Sequence, residues 1–84
     1  MADTGVATDL LEYTVFSSPI NLYAVKGRAP RKIRIIGGSG TVTVKLSSSG
    51  GVARVLTMAT GDEELGEFTS IDSVSGVTSI RVSW

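Results

Sequence analysis

The sequence predicts an all-β domain: a small antiparallel β-sandwich or jelly-roll-like barrel of six to seven short strands behind an extended N-terminal arm. Three observations predict it. Apolar and polar residues alternate with period two through the middle of the chain. Breaks rich in Gly, Ser or Pro recur at short intervals. No apolar spacing of helical period lasts beyond a turn.

Residues 1–9 are small and polar without periodicity and read as the arm, leaving 10–84 as one β domain. The β-branched and aromatic run Tyr13-Thr14-Val15-Phe16 makes 11–16 a strand, which Ser17-Ser18-Pro19 ends. Ile20-Asn21-Leu22-Tyr23-Ala24-Val25 is a second strand, closed by Lys26-Gly27-Arg28-Ala29-Pro30. Lys32-Ile33-Arg34-Ile35 and Thr41-Val42-Thr43-Val44-Lys45-Leu46 alternate on either side of Gly37-Gly38-Ser39-Gly40 and read as a hairpin with one buried face. Ser47-Ser48-Ser49-Gly50-Gly51 turns the chain into a strand over 52–58. That strand has apolar residues on both faces, so it is either sandwiched or lies at an interface, with Arg54 awkwardly on the Leu56 face. Residues 60–66 form a polar loop, 67–71 a short strand and 72–77 a turn through Gly76. In the final strand, 78–84, Ile80, Val82 and Trp84 share one face.

Eighty-four residues allow a single domain with a thin core. Domains of this size usually lean on disulfides, a metal or a partner chain. Cysteine and histidine are both absent, so disulfides and the usual Cys/His zinc sites are excluded, and self-association is the support left. The same absences remove Ser-His-Asp and Cys-His catalysis, so no enzyme and no cofactor is expected. Net charge is zero, which gives no bulk attraction to nucleic acid or anionic lipid. No apolar run is long enough to span a membrane, and the first residues lack a signal peptide's pattern, so synthesis in the cytoplasm is expected.

The glycine cluster is not a phosphate loop, because a strand rather than a helix follows it. Asp62, Glu63 and Glu64 lack calcium-loop spacing and read as solvated carboxylates. Charge is segregated: Lys26, Arg28, Arg31, Lys32, Arg34, Lys45 and Arg54 occupy a stretch free of acids, and the carboxylates lie on either side of it. Either the fold interleaves the ends with the middle, or the subunit is bipolar and docks basic face to acidic face. Trp84 is anchored in its own core or against another subunit. An OB-like single-stranded nucleic-acid binder is the weakest reading, since no aromatic interrupts the basic residues between Lys32 and Met58.

The stretch Ile33-Arg34-Ile35-Ile36-Gly37-Gly38-Ser39-Gly40-Thr41-Val42-Thr43-Val44 is followed by the acidic loop Gly61-Asp62-Glu63-Glu64-Leu65. Then come Ile71-Asp72-Ser73-Val74-Ser75-Gly76-Val77-Thr78 and Ile80-Arg81-Val82. This order resembles the head spike-base and decoration (cement) proteins of tailed phages and gene transfer agents. It departs from them at Gly66, where the family has Pro, and at Ser75-Gly76-Val77-Thr78, where it has Thr-Gly-Thr-Thr. The resemblance implies a virion structural protein: a homotrimer on the capsid exterior, bound to major capsid protein and in some members holding a head fibre. Arg28, Arg31, Lys32, Arg34, Asp62, Glu63, Glu64 and Trp84 are the residues expected at the capsid and subunit interfaces. A tail or baseplate module that recognises a host surface is the alternative.

Overall fold

A computed structural model describes residues 9–16, 19–47 and 51–84. Residues 1–8 of the arm expected over 1–9, and parts of the breaks at 17–18 and 48–50, lie outside them. The elements are β1 (Leu10–Tyr13), β2 (Ile20–Asn21), α1 (Leu22–Lys26), β3 (Lys32–Leu46), β4 (Arg54–Met58), β5 (Glu63–Leu65) and β6 (Phe68–Ser83). All strands belong to one open antiparallel sheet, so the fold is all-β as the period-two pattern predicts.

Four lanes describe the sheet. The long strands β3 and β6 pair along their whole lengths at its centre. β1 and β2 follow one another along the outer edge of β6, opposite residues 80–83 and 70–71. β4 and β5 follow one another along the outer edge of β3, opposite residues 40–44 and 32–34.

Each central strand is creased in its middle. Fifteen extended residues would reach roughly 50 Å, yet the longest dimension of the molecule is 38 Å. The crease also inverts side-chain parity. Ile33 and Ile35 are buried before it, Val42 and Val44 after it, an odd-to-even switch that an unbroken strand cannot make. Register shifts between Ile35 and Thr41 absorb the extra residues, so that both halves aim their apolar side chains at one core. Leu22, Ile33, Ile35, Val42, Val44, Phe68, Ile80, Val82 and Trp84 are fully buried there.

Several local expectations are corrected by this arrangement. Gly37-Gly38-Ser39-Gly40 does not turn a hairpin; it lies inside β3. Its glycines let two backbones touch: a Cβ on Gly40 would overlap the Ser75 carbonyl oxygen, and one on Gly76 (φ 81°) the Ser39 carbonyl oxygen. Residues 72–77 likewise do not turn, because β6 runs through them from Phe68 to Ser83. The loop expected over 60–66 contains β5, recruited by pairing with Lys32, Ile33 and Arg34. The second expected strand keeps only Ile20–Asn21 and becomes α1. The Asn21 side chain caps that helix by accepting from the Ala24 N–H at 3.2 Å, and Gly27 ends it in the left-handed region. The first strand ends at Tyr13 rather than Phe16.

Candidate functional site

The sequence places its interface candidates at both ends of the chain and in its basic middle, and the fold brings most of them together. β5 lies beside the N-terminal third of β3, so the acidic segment meets the basic one directly. Lys32 Nζ is 3.0 Å and Arg34 Nη1 3.7 Å from the Glu63 carboxylate. The Lys32 ammonium, by hydrogen bond and then by charge, holds the Glu63 carboxyl below the ordinary glutamate range, with Arg34 adding to it. Lys45 pairs with Asp72 at 3.6 Å and Lys26 with Asp9. Chain ends and chain middle therefore neutralise one another locally. The fold builds the interleaved arrangement, not a bipolar subunit.

Other candidates have structural duties. Asp62 Oδ2 accepts the Ala59 N–H at 2.8 Å, and the Asp62 carbonyl accepts the Ile35 N–H at 2.9 Å, which ties the β4–β5 turn to the crease. Thr60 adds a hydroxyl bond to the Gly38 carbonyl at 2.7 Å. The backbones of Arg31 and Ser83 are joined at 2.7 Å. Trp84 is corrected as an interface residue: its ring is fully buried in its own chain's core. Its indole N–H donates to the Arg28 carbonyl at 3.1 Å, and its backbone exchanges two bonds with Asp9. A buried indole with its N–H satisfied has no surface left to offer a second subunit.

Among the described residues, no group of three or more Asp or Glu side chains is placed to hold a metal ion. Large apolar side chains are exposed along the peripheral strands: Leu10 on β1, Val55 on β4 and Leu65 on β5, with Tyr23 and Val25 on α1. The sequence marks the 52–58 strand by its two-sided apolar pattern, but nothing local reveals that β4 and β5 lie one after the other on the same side of β3. Glu64 is exposed on β5, where its Cα partner is buried Ile33, and Arg54 is exposed on β4, where its partner is buried Val44. Both therefore stand on the core side of the open edge, and neither forms an ion pair among the described residues.

No family model, no curated protein and no solved structure matches the chain.

Proposed function

We propose that this chain is a structural subunit of a phage-type capsid exterior, a decoration, cement or spike-base protein that self-associates as a trimer and binds major capsid protein. The observation that carries the reading is the exposure of large apolar side chains on the outer strands at both edges of a sheet many of whose charges are paired within the chain. Large apolar side chains left exposed on edge strands offer contact area to another protein. Unpaired strand edges add a row of backbone donors and acceptors for such a contact. The resemblance of 31–84 to virion head proteins supplies the class of partner.

The mechanism is mass action. A subunit that binds the assembled shell and not its separated capsomers raises the shell's stability in proportion to the logarithm of its own concentration. Undecorated heads mixed with purified protein and heated provide the test. Saturable binding and a higher disruption temperature support the cement role. Absence of binding at micromolar protein rejects the cement role.

A further inference from the structure

The four peripheral strands are not equally protected against pairing. β2 has two residues and β5 three, two of them glutamates; β1 carries Glu12, which Arg81 holds at 2.6 Å. Short length and charge are the usual devices that keep an edge from recruiting another strand. β4 is the longest of the four: it has five residues, pairs with β3 in unbroken register and carries one charge, Arg54. Val55 is 65% exposed on it. No strand pairs with its other edge among the described residues.

We infer that the β4–β5 edge pairs with the same edge of a second copy across a two-fold axis at the β4–β5 turn. The argument is charge complementarity within one edge. An antiparallel two-fold pairing brings β4 of each copy beside β5 of the other. In the register that sets Arg54 opposite Glu64 of the other copy, the two free charges of opposite sign meet twice, once on each side of the axis. Both stand on the core-facing side, because their β3 partners, Val44 and Ile33, are core residues. On the outer face the same register sets Leu65 opposite Ala53 of the other copy and diagonal to its Val55. Leu65 is 74% exposed in the single chain, and diagonal neighbours lie within reach of long side chains. The axis preserves the sheet's faces, so each half of one sheet continues into the other half of its neighbour and both fold along one shared crease. A head-to-tail contact that set β5 beside β1 instead would place Glu63 and Glu64 near Asp9 and Glu12, acid against acid.

This inference needs no capsid, and it is independent of whether the unit that pairs is a monomer or a trimer. Sedimentation equilibrium of wild type, Arg54→Glu, Glu64→Arg and an equimolar mixture of the two variants tests it. Each variant has four like charges in the two contacts and dissociates roughly 30-fold more readily, from two cross-strand pairs at about 1 kcal/mol each. The assembly mass of either variant alone falls to half that of wild type or less, and the mixture regains the wild-type mass. An Arg54–Glu64 pair inside one chain would not be rescued by mixing. Equal masses for wild type and the single variants, or a mixture that stays at the variants' mass, overturns the inference. The unit mass of the variants separately reads whether the chain is a trimer, so the two proposals fail independently.

Discussion

Alanine at Gly40 inserts one carbon where two backbones already touch. The new Cβ would overlap the Ser75 carbonyl oxygen and lie 2.9 Å from that carbonyl carbon and 3.1 Å from the Gly76 Cα. All three neighbours are main chain, so no side chain can swing aside. The strands must part between Gly38 and Thr41, where the parity switch is made and where Thr60 docks. Losing about two ladder bonds at ~1 kcal/mol each, and stranding at least one buried polar group at ~1–3 kcal/mol, gives a cost of about 3–5 kcal/mol. A domain of this length holds roughly 4–13 kcal/mol in all, so the substitution removes a large share of it. Gly27→Ala is the control: its φ is 72° but nothing lies within 4 Å of the added carbon, so the cost is only the left-handed strain of about 1 kcal/mol. Urea unfolding followed by the fluorescence of Trp84, the single tryptophan, at matched protein concentration measures both. A Gly40→Ala protein within 1 kcal/mol of wild type, or a costlier Gly27→Ala, refutes the crease as the determinant of the fold.

Two further outcomes follow from the same structure. Trp84→Ala empties a fully buried site and should cost about 3–5 kcal/mol, whereas Trp84→Phe mainly forfeits the bond to the Arg28 carbonyl and should cost less; far-UV circular dichroism in urea measures the difference, and equal costs would mean the ring is not packed as described. Glu63, depressed by Lys32 and then Arg34, stabilises the fold fully above the ordinary glutamate pKa, about 4.3, and the contribution is lost as pH falls through its lowered value. Carboxyl-carbon NMR titration should show Lys32→Met raising the Glu63 pKa more than Arg34→Met does; the reverse order would contradict the pairing.

What the sequence shows of this fold is what local alternation can show. Ile80, Val82 and Trp84 share one face in an uninterrupted run, and all three are buried as the pattern requires. Val42 and Val44 obey the same logic. The glycine cluster is different, because a hairpin turn and a pair of bulges leave the same local trace: glycine beside a break in parity. The distinction resides in β6, whose own Gly76 leaves room for the close approach. β5 has charged residues of low strand propensity and exists because Lys32, Ile33 and Arg34 pair with it. In α1, apolar content suggests a strand, but a capping Asn21 and a terminating Gly27 outweigh it over one turn. The interface candidates follow suit. Charge segregation is visible along the chain, while its cancellation at Glu63 depends on which strands meet. The β4–β5 edge is invisible until the two strands are seen to share one lane.

Mass in dilute solution is the most direct test of the account, which holds that this sheet relies on other copies to cover its edges. Sedimentation equilibrium of the full chain across the micromolar range should show an oligomer. The fitted mass should be a multiple of the 8.8 kDa chain and should fall with dilution. A folded species that stays at 8.8 kDa at every concentration contradicts it.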